Sequence, residues 1–154
     1  MENTENSLIN LKIKQFRELE FFTKEIPEDL QVMLDKTQIS VNLNVDFYIT
    51  NDKKILSVLS QITYKYTHGN IAEKLLYLDS AMDFTSDNFE DFVTMNRDGS
   101  FKFNDIMLVN LISITFGTIR GILIEKNKGL YLSKYILPPV DPNQILNAKK
   151  VKGS

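Results

Sequence analysis

The stretch ISVNLNVDFYIT, residues 39–50, alternates strictly between apolar and polar side chains. This period of two predicts a long β-strand with one buried face and one face toward solvent. The alternation continues in residues 56–66 and 72–84, after short turns at residues 51–53 and 68–70. Because such short turns cannot join parallel strands, the three strands are predicted to form antiparallel hairpins.

A fourth strand is predicted ahead of these three, in residues 8–23. Its apolar residues alternate up to Ile13 and resume from Phe16 on a shifted phase, which predicts a β-bulge near Gln15. Pro27 disfavours helix in the residue before it, so the strand is predicted to end there in a connection.

The last third of the chain predicts helices. Residues 106–119 carry no charge, and Ser100 or Asn104 can cap the helix that contains them, which is predicted to run to about Asn127 and stop at Gly129. Residues 130–137 are predicted to be extended. After the break at Pro138 and Pro139, Asp141 and Pro142 predict the start of a last, short helix.

Together these elements predict an α+β fold, in which a four-stranded antiparallel sheet carries the long helix and the short C-terminal helix on one face. Residues 1–154 are predicted to form one domain, with disordered tails at 1–7 and 148–154. Between the sheet and the long helix, residues 85–104 predict a short helical turn followed by a mobile flap.

The long helix has more apolar surface than one sheet face can cover. On a helical wheel its apolar side chains fill roughly 220°, against about 100° for a common surface helix. The remaining strip holds Asn110, Ser113, Gly117, Arg120 and Gly121. Small residues at every fourth position let a second backbone approach closely. We therefore expect the strip to meet a second copy of the chain in a dimer or tetramer, unless the flap and the final helix cover it.

The same helix is not expected to enter a membrane. A membrane span needs about 20 predominantly apolar residues. Polar side chains interrupt this one at Asn110, Ser113, Thr115, Thr118 and Arg120. Arg120 alone would cost about 2.5–3.5 kcal/mol near the bilayer centre.

Composition excludes several classes of function. A net charge of −2 argues against nucleic acid as the main partner. The absence of cysteine excludes disulfides and thiolate chemistry and fits a reducing compartment. The polar, acidic first seven residues do not resemble a secretory signal, so a cytoplasmic location is expected.

The residues do not predict an active site. His68 is the only histidine and lies in a turn, and the acidic residues Asp83, Asp87, Glu90 and Asp91 do not have the spacing of a known calcium loop. The strand carboxylates of Asp46, Asp79 and Asp83 are expected to be solvated. With no phosphate-binding glycine loop and no nucleophile elbow, we expect no enzymatic activity, no metal and no cofactor.

The order and spacing of the elements over residues 8–147 resemble the SecB family of export chaperones. The resemblance is strongest in residues 11–27, 39–46 and 111–146, where the long helix, the stop at Gly129 and the segment LPPVD at 137–141 match the family's final helix, loop and Pro-Val-Asn/Asp motif.

This resemblance implies a tetramer built as a dimer of dimers, and a holdase that works without ATP by binding unfolded or export-destined polypeptides in long apolar grooves. The positions that match the grooves of the family are Ile39, Val41, Leu43, Leu76 and Leu78. From their own chemistry we add Phe84, Phe89 and Phe92, as exposed phenylalanines on a flexible flap. Core packing is the alternative for each of these residues.

The chain also departs from the family. SecB proteins dock the motor SecA through carboxylates on the outer sheet face. Glu20 stands where one of these carboxylates is expected, but Lys24 and Tyr77 stand where two others are expected. The C-terminal tail is basic, whereas that of the family is acidic. SecA binding is therefore in doubt. A dedicated chaperone or adaptor for one partner, in a toxin–antitoxin or mobile-element setting, and a small-ligand domain with a pocket between sheet and helix remain alternatives.

Overall fold

The structure, a computed structural model, describes residues 10–34, 39–68 and 70–152. The predicted N-terminal tail and Gly69 of the second turn lie outside this range. The elements, in chain order, are β1 (Leu11–Thr23), α1 (Glu28–Met33), β2 (Ile39–Ile49), β3 (Ile55–His68), β4 (Ile71–Ser86), a 3₁₀ turn (Phe89–Asp91), β5 (Val93–Met95), β6 (Phe101–Phe103), α2 (Asp105–Lys126), a second 3₁₀ turn (Tyr131–Lys134) and α3 (Pro142–Lys152).

The predicted four-stranded antiparallel sheet with a long and a short helix is confirmed. Its strand order is β1-β4-β3-β2, so β1 and β2 form the two edges. The pairing of β2 with β3 runs without a break from Ile39 opposite Tyr66 to Ile49 opposite Leu56. Every directly opposed pair shares one face, which places the apolar residues of the three meander strands on the side that faces α2.

The predicted bulge in β1 is confirmed, and a second one accompanies it. The register of β1 against β4 shifts between Ile13 and Gln15 and again between Glu18 and Glu20. Each shift adds one residue to β1, which returns the strand to its original phase after the second bulge.

The core lies between the sheet and α2. One side of α2 is buried against the sheet through Met107, Leu108, Leu111, Ile112, Thr115, Phe116, Ile119 and Leu123. Of the two caps predicted for this helix, Asn104 is the one used: its Oδ1 accepts the N–H of Ile106 at 2.9 Å and of Met107 at 3.3 Å. At the other end Gly129 has a φ of 79°, a left-handed conformation that suits glycine and turns the chain away from the helix.

Residues 130–141, which we call the strap, run back along α2. The expectation of an extended chain over residues 130–137 is wrong, because residues 131–134 form a 3₁₀ turn that buries Leu132. The Arg120 side chain holds the strap by donating from Nε to the carbonyl of Leu137 at 2.9 Å and from Nη2 to that of Pro138 at 3.0 Å.

The last helix begins as predicted. The Oδ1 of Asp141 accepts the N–H of Asn143 at 3.0 Å, and Pro142 is the first helical residue. The helix packs against α2 and buries Leu146. Within the segment predicted to be a disordered tail, α3 continues to Lys152, and residues 153–154 lie outside the described range.

Candidate functional site

The side of α2 turned away from the sheet is open. Ser113, Gly117 and Gly121 lie along it and are exposed, flanked by Ile106 and Ile124 with 72% and 49% of their surface accessible. A methyl group added at Gly117 or Gly121 would meet no other heavy atom of the described residues within 4 Å. The flap and α3 therefore leave this strip uncovered over the described part of the chain.

Arg120 does not belong to that open strip. Its guanidinium is bonded to the strap carbonyls of Leu137 and Pro138. On the helical wheel it stands at the margin between the buried and the open side, where a long side chain reaches the neighbouring segment. Its guanidinium is thus committed to the strap, and the expectation that Arg120 contributes to an interface with a second copy stays a prediction.

The edge strand β2 presents a partly exposed apolar row. Ile39, Val41 and Leu43 are half-buried and pack at the margin of the core, whereas Val45 further along the same row is buried. In the described part of the chain, β3 is the one strand that pairs with β2, which lies at the edge of the sheet. Three of the predicted client-contacting residues thus lie together on an edge strand.

The other predicted contact residues lie elsewhere. Leu76, Leu78 and Phe84 point from the inner strand β4 toward α2 and are fully buried, and Phe89 is 1% exposed at the start of the first 3₁₀ turn. The expectation that Phe84 and Phe89 are exposed is wrong, because the inward phase of β4 and the turn after it place both rings in the core. Neither these rings nor Leu76 and Leu78 offer surface to a partner in this conformation.

Phe92 and the flap are intermediate in exposure between the half-buried row of β2 and the fully buried residues of β4. Phe92 is half-buried at the edge of the core, and its carbonyl accepts the N–H of Asn104 at 2.8 Å. The flap itself is a short hairpin of β5 and β6, in which the ring of Phe103 lies 6.3 Å from that of Phe47 on β2. The hairpin therefore closes the far end of the apolar row of β2, and its predicted mobility remains a prediction.

The outer face of the sheet is the one turned away from α2. Glu20 lies there, exposed, opposite Asp79, whose neighbour across the sheet is Gln61. Partial burial and the carboxylates of Asp79 and Glu20 raise the pKa of Tyr77 on the same face. A cavity of about 170 Å³ opens beside these residues, lined by Leu19, Asn44, Asp46, Leu59, Gln61 and Asp79. Lys24, by contrast, is paired with Glu73.

Asp83 contradicts the expectation of a solvated carboxylate. It is buried on the outer face, where its two oxygens accept hydrogen bonds from Gln15 Nε2 at 2.7 Å, Arg17 Nε at 2.9 Å, Arg17 Nη2 at 3.1 Å and Ser57 Oγ at 2.6 Å. Burial alone would raise the pKa of Asp83, but these hydrogen bonds, that of Arg17 foremost, outweigh it and lower the pKa to about 2. Local sequence gave no sign of this cluster, since the partners come together only through the register of three strands.

Tyrosine hydroxyls connect the strap to the rest of the fold. Tyr64 on β3 donates to the carbonyl of Tyr135 at 3.1 Å, and burial raises its pKa to about 12. The Tyr131 hydroxyl lies 3.2 Å from the carbonyl oxygen of Gln31 and 3.4 Å from that of Leu34. The strap thereby holds the C-terminal end of α1.

A small-ligand pocket between the sheet and the long helix stays a prediction. The cavity between α2 and the strap, lined among others by Leu123, Asn127 and Leu137, has a volume of about 10 Å³, which is room for about one water molecule. Over residues 10–34, 39–68 and 70–152 no group of three or more histidine, aspartate or glutamate side chains is arranged to hold a metal ion.

By length and composition alone α2 could cross a membrane, since an 18-residue window in it has a mean hydropathy of 1.8. About 44% of that window is buried inside the fold. Comparison of the chain with protein-family models gives no match, and a search of curated proteins finds no significant match either.

Proposed function

We propose that this protein is an ATP-independent molecular chaperone, a holdase, that binds unfolded or export-destined polypeptides at the apolar row of β2. The observation that carries the proposal is the half-burial of Ile39, Val41 and Leu43 on a strand that lies at the edge of the sheet, with β3 as its one neighbouring strand in the described part of the chain. The order of elements, which agrees with that expected for the SecB family, supports the same function.

The geometry of the edge strand suits a client without a fixed sequence. An extended peptide can add to a free edge through main-chain hydrogen bonds, which every sequence can make. Its alternate side chains would then fall over the apolar row, where contact depends on hydrophobicity more than on shape. Affinity would be modest for any one segment, and release would need no nucleotide.

Assembly belongs to the proposal. The open strip of α2 holds Ser113, Gly117 and Gly121, whose small side chains permit close packing of a second helix. A dimer or tetramer would present several β2 rows to one client, and binding of the same chain at two rows raises its effective affinity. We propose a cytoplasmic location, which fits the absence of cysteine.

The test is an aggregation assay with a chemically denatured client in the absence of ATP. The wild-type chain should slow light scattering at a stoichiometric excess, and Val41→Asp should lose most of the protection, because it places a charge in the apolar row. Asn42→Asp is the matched control, with a charge at the next residue on the opposite, exposed face of β2. Equal protection by the wild type and Val41→Asp, with both folded, would refute the site; no protection by the wild type would refute the function.

A dedicated adaptor for a single partner is the second candidate. It is favoured by the two departures on the docking surface: Lys24, which is ion-paired to Glu73, and Tyr77 stand where the family resemblance expects carboxylates. The same departures weigh against SecA as a partner, although Glu20 remains exposed on the outer face. Protection of several unrelated denatured clients favours the holdase, whereas protection of none of them favours the adaptor.

A further inference from the structure

The β5–β6 hairpin lies over one end of the apolar row of β2. Its strands pair from Val93 opposite Phe103 to Met95 opposite Phe101. In the described part of the chain they form a sheet of their own, separate from the four-stranded sheet. A hairpin of two strands is only marginally stable by itself. Its position against β2 therefore depends on the side chains beneath it.

The face of the hairpin turned toward the core is apolar. Val93 is buried and Phe103 is half-buried, whereas Thr94 and Lys102 on the other face are exposed. The ring of Phe103 lies 6.3 Å from the ring of Phe47 on β2, with 41° between their planes. Tilted aromatic pairs at this distance attract each other beyond the area that they bury. The pair thus fastens the hairpin to β2.

Both ends of the hairpin are held by hydrogen bonds. At its neck, the N–H of Asn104 donates to the carbonyl of Phe92 at 2.8 Å. Phe92 follows the 3₁₀ turn that begins at the buried Phe89, and Asn104 caps α2. At its tip, the N–H of Asn96 donates to the carbonyl of Ser100 at 2.7 Å. The hairpin can therefore turn about the neck as one unit.

We propose that the β5–β6 hairpin is a hinged lid on the apolar row of β2, which turns on its Phe92–Asn104 neck and is latched by the contact of Phe103 with Phe47. Opening uncovers Phe47. The accessible row then extends from Ile39–Leu43 to Ile39–Phe47, or from about 17 Å to about 31 Å at about 3.4 Å per residue.

The inference rests on the proposed function, because it describes how the client site on β2 is regulated. A client that needs the longer row binds the open form alone. Its apparent affinity is then reduced by the fraction of molecules in which the lid is open. Weakening the latch should raise that affinity, although the substitution removes apolar surface from the protein.

The motion is tested without a client by thiol labelling, since the chain has no cysteine. Val93→Cys and Val58→Cys each place one thiol at a buried valine, the first on the lid and the second in the sheet. A maleimide should react at least about 10-fold faster with the first, because local opening exposes it while the second needs global unfolding. Equal rates in the two variants, with both folded by circular dichroism, would rule the lid out.

The latch is tested in the Val93→Cys background. Phe47→Leu should speed labelling by about 2- to 13-fold, the factor that corresponds to the loss of one aromatic pair. Tyr48→Leu is the matched control, since this exposed neighbour lies on the outer face of β2 and should leave the labelling rate unchanged. The same rate for both variants would show that the Phe47–Phe103 contact is not the latch.

The effect on clients is measured by fluorescence anisotropy with a labelled peptide of alternating leucine and serine. Phe103→Leu, which weakens the latch from the lid, should bind the peptide about 2- to 13-fold more tightly than the wild type does. Lys102→Leu, on the exposed face of β6, should bind it like the wild type. Saturating peptide should also speed the labelling of Val93→Cys.

The outcomes separate the lid from the holdase function. If the wild type binds the peptide and Phe103→Leu binds it no more tightly, the lid is wrong and the client site on β2 stands. If the wild type neither binds the peptide nor slows aggregation, the holdase function fails and the regulatory role of the lid fails with it, even when labelling of Val93→Cys shows that the hairpin opens.

Discussion

The two edge strands are attached to the sheet by different chemistry. β2 is regular and is held through an apolar row that is buried at Val45 and Ile49. β1 carries two bulges and is tied to β4 by a polar cluster around Asp83 on the outer face. An apolar attachment is insensitive to pH and salt, whereas a charged one depends on both. The difference means that each edge can be weakened without the other.

The largest expected effect is at the apolar attachment of β2. Ile49→Ala should lower the free energy of unfolding by about 2–5 kcal/mol, because it removes buried methyl groups and leaves a cavity. The loss should be the same at pH 4 and pH 7. Tyr48→Ala is the control, since its exposed side chain on the other face should contribute about 0.5 kcal/mol or less. Urea unfolding measures the free energy of unfolding of both variants. Equal losses of stability in Ile49→Ala and Tyr48→Ala would contradict the faces assigned to these two residues.

The polar attachment of β1 should give a smaller, pH-dependent effect. Asp83→Asn should lower the free energy of unfolding at pH 7 by about 1–3 kcal/mol, because the buried hydrogen bonds from Arg17, Gln15 and Ser57 lose their charged acceptor. Asp79→Asn is the control, since it removes the same charge from the same face of β4. It should lower the free energy of unfolding by about 0.5 kcal/mol or less.

The pKa of Asp83 fixes the pH range of that effect. Its pKa in the folded protein is about 2, below the ordinary value of 3.8, so the unfolded chain binds the proton more readily. The stabilisation is complete above pH 4 and is lost as pH falls from 4 toward 2. The difference between wild type and Asp83→Asn should therefore narrow over this range; a constant difference in urea unfolding from pH 6 to pH 2.5 would rule the cluster out.

The smallest effect on stability should come from a surface that belongs to neither edge. Gly117→Leu adds a side chain where the described residues leave open space, so the fold should be stable to within about 0.5 kcal/mol of the wild type or slightly stabilised by the better helix former. Its molar mass by light scattering should nevertheless fall if the strip of α2 is an interface. Ile124→Ala, which shortens a side chain beside the strip and leaves Gly117 in place, should lower the molar mass less than Gly117→Leu does. An unchanged mass for Gly117→Leu would place the contact elsewhere.

The fold was largely predictable, and the exposure of individual residues was not. The alternation in residues 39–50 and the short turns after it define three antiparallel strands, and the phase shift after Ile13 locates a bulge in the fourth. The burial of Phe84 and Phe89 could not be predicted from the local pattern. A phenylalanine in a strand or turn gives the same local pattern whether or not other parts of the fold cover its ring. Asn104 and Ser100 are equivalent caps by sequence, and only the β5–β6 hairpin decides between them.

The sequence by itself determined the type and order of the elements, because hydrophobic period, turn residues and caps act over a few positions along the chain. The tertiary structure alone decided that β1 pairs with β4, that Asp83 is a buried acceptor and that Arg120 holds the strap, because each of these joins residues that are 17 or more positions apart. Such contacts depend on strand order and register, and the local pattern of a single segment carries no information about either.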